Sequence, residues 1–259
     1  MYRFWTIFVA HLQMTLRNRM AMFWTILFPV AYLLFFGFIN IGGGNNSVVA
    51  GAGQSGKVGY VAYLTIGVLI MQAMSVAIMG YGRNITAWRD QGVLRRLAVT
   101  PLPSWEFLLA LLAGQLVLIL LNAALVMAVS AVLFGVRFSI AGAGIGFAVF
   151  LLAILVYLGI GQLTFALAKK TDTVNAVSQV IYFFLIFLGG IFLPVEVFPQ
   201  VVQQALRVLP TTLALDVMRP SLLLGAVSGV VALDAIGLAV YFVVLFALSA
   251  RSFRWEQAA

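Results

Sequence analysis

The amino-acid sequence predicts an all-α integral membrane protein with six transmembrane helices, and three observations carry that expectation. Hydrophobic residues fill 64% of the 259 positions and charged residues only 8%, against roughly 45–50% and 25% in a soluble domain. The polar residues are too few to cover the outside of a water-soluble fold. Apolar runs of spanning length recur six times, and no long polar stretch separates them. Residues 1–259 therefore read as a single membrane domain.

A bilayer core is about 30 Å thick and takes about 20 apolar residues of helix to cross. The six runs fall near 22–40, 60–81, 107–134, 142–168, 174–193 and 228–250. The third and fourth exceed a perpendicular span and are expected to tilt or to extend beyond the core.

Orientation follows from the positive charges. With the N-terminus in the cytoplasm, the inside segments hold Arg3, Arg17, Arg19, Arg83, Arg89, Arg95, Arg96, Lys169, Lys170, Arg251 and Arg254. The outside segments then hold only Lys57, Arg137, Arg207 and Arg219. Both termini are accordingly expected inside. The formal net charge of +8 serves topology and contact with anionic membrane lipid. No basic stripe has the extent that a phosphate backbone needs, so nucleic acid is excluded as a partner. Without any cysteine, and with His11 as the single histidine, disulfides, thiol nucleophiles and multi-histidine metal sites are excluded too.

Residues 1–20 precede the first span and carry an amphipathic pattern. Trp5, Phe8, Leu12 and Leu16 share one helical face, and Arg3, Thr6, Gln13 and Arg17 the opposite one. That pattern predicts a helix lying in the cytoplasmic interface rather than a cleaved signal peptide, with His11 as an interfacial polar residue. The outside loop 41–59 is rich in Gly, Asn and Ser and is expected to be mobile. Gly51 to Gly56 fits G-x-G-x-x-G, and Gly51 to Lys57 begins like a P-loop. Val58, however, stands where the magnesium-binding Ser or Thr would be needed, and no acidic residue lies at ribose distance beyond it. Both matches are expected to be accidents of composition.

Two segments carry more information. The first, 82–106, is too polar to span and too patterned to be a slack linker. Gly92 can break or bend a helix, Leu94 and Leu97 share a face, and Thr100-Pro101 ends the element. A short amphipathic helix beneath the membrane is predicted there. The second, 194–222, is bracketed by Pro194, Pro199, Pro210 and Pro220, with Glu196, Arg207, Asp216 and Arg219 along it. A re-entrant or interface-lying helical hairpin at the outer leaflet suits a piece so amphipathic, because non-helical backbone at membrane depth must be buried in protein or line a wet cavity.

On these residues the chain resembles the permease subunits of the type-2 ABC transporter family, most closely the daunorubicin-resistance and lipo-oligosaccharide exporter branch. In that family the loop after the second span commonly reads near E-R-x-x-G-T-L-E-R-L-x-x-T-P, which Gly92, Leu94, Arg96, Leu97, Thr100 and Pro101 match. The family's late F-P, L-P-x-T and acid-before-Arg pattern is met by Leu193-Pro194, Leu209-Pro210, Thr212, Asp216 and Arg219. Arg89 and Arg95 replace acidic residues common there, leaving Asp90 as the only acid before Glu106, and Val93 stands where threonine is common.

The resemblance implies a membrane subunit that binds no cofactor itself. ATP and magnesium would be bound by a partner ABC ATPase dimer. A second permease copy or a paralogue would complete the pathway, in the plasma membrane of a bacterium or archaeon. The segment around Trp88, Arg89, Asp90, Gly92, Leu94, Arg96, Leu97, Thr100 and Pro101 would be the coupling helix seated in the ATPase. Export of a drug-like lipophile or a glycolipid would follow. The spans suit such an amphipathic cargo: they carry Gln115, Asn122, Gln162 and Gln179 but almost no charge, and Asp234 is expected near the outer headgroups. A proton-coupled secondary transporter is the alternative. It would usually show buried ionisable residues or matched broken helices in two halves, and neither is evident. An intramembrane enzyme would need an acid–base pair or metal cluster that the sequence does not offer.

Overall fold

The computed structural model describes residues 2–41, 47–49, 57–80, 85, 86, 88, 92, 104–167, 170–226 and 229–252. The chain opens with α1 (Tyr2–Arg17) and turns at Asn18 into α2 (Arg19–Ile41). The short strands β1 (Ser47–Val49) and β2 (Lys57–Gly59) come after it, then α3 (Tyr60–Met74), whose last turns widen into a π-helix over Ser75–Gly80. Two long helices come next, α4 (Ser104–Phe134) and α5 (Ile140–Leu167), and then α6 (Thr171–Leu188). A 3-10 turn (Val195–Val197) leads to the short helices α7 (Gln200–Leu206) and α8 (Pro210–Arg219). A second π segment (Pro220–Leu224) ends α8 before the last helix, α9 (Gly229–Ser252).

Four of these helices are long and apolar enough to cross a membrane: Tyr60–Gly80, Leu109–Phe134, Ile140–Ala166 and Thr171–Leu188. Shorter apolar stretches, Thr25–Ile39 and Ala232–Leu248, lie within α2 and α9. The fifth apolar run is expected to continue to 193, but α6 stops at Leu188. There the chain turns through Gly189 and Gly190, and Gly190 has φ +75°, a conformation that a side chain would resist. The loop 41–59, expected to be mobile, instead contributes an antiparallel hairpin at both its ends, pairing Ser47 with Gly59 and Val49 with Lys57. A strand thus does precede the Gly51–Gly56 motif. The motif leads into an antiparallel strand rather than a helix N-terminus, so the phosphate-cradling geometry is absent.

Helix α3 is the hub. Buried residues make up 83% of its apolar window, against 22–44% in the other three spans. It packs on α2, α4, α5 and α8, and its π segment on α4, α5 and α6. A helix apolar all round and enclosed on every side fits the unbroken run from Val61 to Met71, which shows little amphipathic bias. Small residues set the close approaches. A Cβ on Gly161 of α5 would meet the Ala77 carbonyl, and one on Gly142 would meet the Ser221 carbonyl. Helix α5 thereby lies directly against both π segments. Between α5 and α6 the hydroxyls of Thr164 and Ser178 are 3.3 Å apart, a polar link of the kind that holds helices together in lipid. Helix α9 packs on α5 and α8 from outside.

Candidate functional site

The site has two built ends on α3, joined by that helix. At one end, beyond the first π segment, Ile85, Thr86 and Trp88 are buried. The Trp88 ring stands against Phe107 of α4, with centroids 5.7 Å apart. It meets His11 of α1 edge-on at 6.0 Å. His11 in turn lies against Gly114 of α4, where any Cβ would collide with the imidazole. The start of the cytoplasmic-type loop is thus wedged between α1 and α4.

Expected as an interfacial polar residue, His11 is instead the most enclosed described residue of α1, 2% exposed. The packed face runs through Phe4, Ile7, Phe8, His11 and Thr15, while Trp5 and Leu16 point outward. The helical wheel supposes lipid on the apolar side, whereas the neighbouring helix decides the face. Burial holds the imidazole neutral by lowering its pKa to about 4. Its Nε2 has no hydrogen-bond partner among the described residues. The Thr15 hydroxyl donates to the His11 carbonyl at 3.0 Å and steadies that turn.

Of the predicted coupling residues, Trp88 and Gly92 fall within the described residues. Gly92 sits at a turn with φ +69°, which accounts for glycine at that position. Arg89, Asp90, Leu94, Arg96, Leu97, Thr100 and Pro101 lie outside the described residues.

At the other end of α3, Arg219 of α8 is 3% exposed and acts as a clamp. Its Nη2 donates to the carbonyls of Gly190 at 2.9 Å and Ile191 at 3.1 Å. The guanidinium carbon sits 3.4 Å from the centroid of the Tyr63 ring. The Tyr63 hydroxyl donates to the same Gly190 carbonyl at 3.0 Å. Cation, aromatic face and two backbone carbonyls therefore join α3, α8 and the turn after α6. Asp216, partly buried one turn back on α8, adds a favourable charge for Arg219.

The remaining predicted residues of this segment have local roles. Pro194 precedes the 3-10 turn and accepts from the Val197 amide at 3.1 Å. Pro199 precedes α7 and accepts from Val202 and Gln203 at 2.9 and 3.0 Å. Glu196 is exposed, and its carbonyl receives the Gln203 side chain at 3.3 Å. Pro210 is buried at the first turn of α8, where the missing N–H costs nothing. The structure thus gathers Arg219 and Asp216 around the Gly190 turn and leaves Pro194, Glu196 and Pro199 on the connecting strap.

Sequence reasoning missed Tyr63 and the Gly190 carbonyl as the Arg219 partners. It also missed Gln72, a buried amide in mid-α3 whose Oε1 and Nε2 have no partner among the described residues. The other polar span residues divide. Asn122 donates to the Leu118 carbonyl of its own helix at 2.9 Å, Gln115 and Gln162 are buried, and Gln179 is exposed on α6. Asp234 is half-buried on α9, within electrostatic range of Arg207.

Between α3, α4, α5 and the end of α8 lies a cavity of 440 Å³ lined by apolar side chains. Among the described residues no cluster of His, Cys, Asp and Glu could hold a metal ion.

Comparison with known proteins adds the identity of the scaffold. The sequence profile of the ABC-2 type transporter family matches residues 2–223. A chain of Bacillus subtilis (strain 168), named as the transport permease YvfS, is 26% identical over 208 residues, which is 78% of each chain. The matched region takes in α1, the Trp88 wedge and the Arg219 clamp, so both ends of the site belong to the shared domain. The chain belongs to the ABC-2 type transporter family, as a multi-pass membrane permease of the kind that works with an ABC ATPase subunit.

Proposed function

We propose that this permease is half of an ATP-driven exporter, that α2, α3, α4, α5, α6 and α9 are its six spans, and that residues 82–106 form the coupling helix. Two permease copies, or this chain and a paralogue, would pair in the plasma membrane of a bacterium or archaeon with both termini in the cytoplasm. Helix α1 would lie along the inner interface, and 194–222 would form the outer re-entrant hairpin. The cargo would be a lipophilic or amphipathic molecule, drug-like or a glycolipid, in keeping with spans that carry almost no charge. ATP and magnesium would be held by the ATPase dimer. The packing of Trp88 between His11 and Phe107 is the observation that carries this reading. A push on the segment beyond Trp88 is received at once by α1, α4 and the end of α3, as a rigid two-state coupling requires.

The experiment compares ATP turnover in nanodiscs for the permease alone and with its ATPase, alongside Arg96→Glu, Leu97→Asp and Trp88→Ala. The reading expects no turnover alone, turnover with the partner, and lost assembly for the first two variants. Trp88→Ala should keep assembly and uncouple turnover from cargo movement. Wild-type behaviour in all three variants, with no ATPase retained, would favour a proton-coupled secondary transporter.

A further inference from the structure

We infer that the 440 Å³ cavity seats one acyl chain of an anionic bilayer lipid, whose phosphate is met by Arg137. The volume lies within the roughly 300–1,000 Å³ of ordinary ligand sites. Small residues hold it open: Ala123 and Ala124 of α4, and Ala143 and Gly146 of α5, face Leu69 of α3 and Leu222 at the end of α8. Ala124 is exposed, so the slot opens sideways from the bundle onto lipid rather than into the protein.

The depth and the charge both point to a lipid. Ala143 lies three residues into α5, about 5 Å below its start, so the slot begins just under headgroup level. The loop 135–139 is pinned over it, because the Ser139 amide donates to the Leu222 carbonyl at 2.7 Å and Leu222 lines the slot. Arg137 stands exposed on that loop and makes no ion pair among the described residues. No acidic residue occurs in the sequence between Glu106 and Asp172, so neither α4 beyond Glu106 nor α5 can neutralise it. An apolar slot ending under an uncompensated cation is complementary to a negatively charged amphiphile. A second permease copy fits poorly. An isologous contact would bring another Arg137 to this face, again without an acid.

The test uses the assembled transporter in nanodiscs containing phosphatidylglycerol, or matched phosphatidylcholine, with a photoreactive acyl chain. Labelled peptides are mapped by mass spectrometry. Labelling should concentrate in 120–127 and 143–150, with phosphatidylglycerol ahead by about five-fold, as one interfacial cation provides. Arg137→Gln should remove that preference while leaving the labelled positions unchanged. Ala143→Phe should abolish labelling there and leave the exposed Phe183–Phe187 face of α6 labelled as before. If Ala143→Phe fails to assemble, Ala124→Phe at the rim serves the same purpose. Labelling spread evenly over all exposed apolar faces, or indifferent to the filling substitutions, overturns the inference. So does protection of both peptides by a second copy on this face.

Discussion

Replacing Arg219 with methionine removes the only cation of the clamp while keeping an apolar side chain of similar length. The loss includes two charge-assisted hydrogen bonds, to Gly190 and Ile191, each worth about 1.5–3 kcal/mol. It also includes stacking on Tyr63 at 3.4 Å, worth about 2 kcal/mol when desolvated. Two effects reduce the sum. Gly190 keeps the Tyr63 hydroxyl as a donor, so only the Ile191 carbonyl loses its donor to the clamp. Methionine also escapes the desolvation cost of a buried guanidinium. The net cost should be about 2–4 kcal/mol. It is measured by titration with sodium dodecyl sulfate in mixed micelles, read by tryptophan fluorescence. The sharper test is a double-mutant cycle with Tyr63→Leu. Ring and cation touch, so the cycle should return a coupling of about 1–2 kcal/mol. Additivity within about 0.5 kcal/mol would falsify the clamp as a unit, leaving Arg219 and Tyr63 as independent contacts.

Three further outcomes are expected. Gly114→Val should drive a side chain into His11 and cost about 1–3 kcal/mol by overpacking, seen as faster proteolysis of α1 in the otherwise folded permease. The pKa of His11 is lowered on folding from 6.5 to about 4. Its contribution to stability is therefore intact above pH 6.5 and is lost as pH falls toward 4; a His11→Gln variant, titrated in the same micelles, should lack that part of the slope. Gln72→Leu should raise stability by about 1–3 kcal/mol, because it removes two buried polar atoms that have no partner among the described residues, and unchanged or lower stability would reveal a partner for the amide.

The spans were legible because lipid asks for one simple thing, a long apolar run, and Tyr60–Gly80, Leu109–Phe134 and Ile140–Ala166 supply it. Punctuation was harder. The run through Phe192 and Leu193 stays apolar after the helix has ended, and only the conformation of Gly190 marks the stop. Strands of three residues, Ser47–Val49 and Lys57–Gly59, are too short for alternation to stand out in a loop of Gly, Asn and Ser. The polar contacts divide along the same line. Arg219 stood out because a charge in such a segment is costly and so needs a reason to be there. Its partners were invisible because a tyrosine at the head of an apolar run reads as an interfacial anchor, and a glycine carbonyl leaves no trace in composition. His11 was misjudged for a related reason. A helical wheel reports periodicity but does not say whether lipid or another helix lies on the apolar side.

The two π segments bear on how this protein could move. A π turn accommodates one more residue than an α turn, with looser hydrogen bonding. Ser75–Gly80 and Pro220–Leu224 each hold such a surplus, and both bear on the same helix, α5. Each acts as a store of slack in an otherwise stiff rod. Tightening a π turn to α rotates everything beyond it by about 100° per residue and shortens nothing in sequence. The rod therefore has a built-in screw joint at each place where α5 bears on it. Thrust delivered at either end can be taken up as rotation at the joint, while the enclosed stretch between Tyr63 and Met74 keeps its packing.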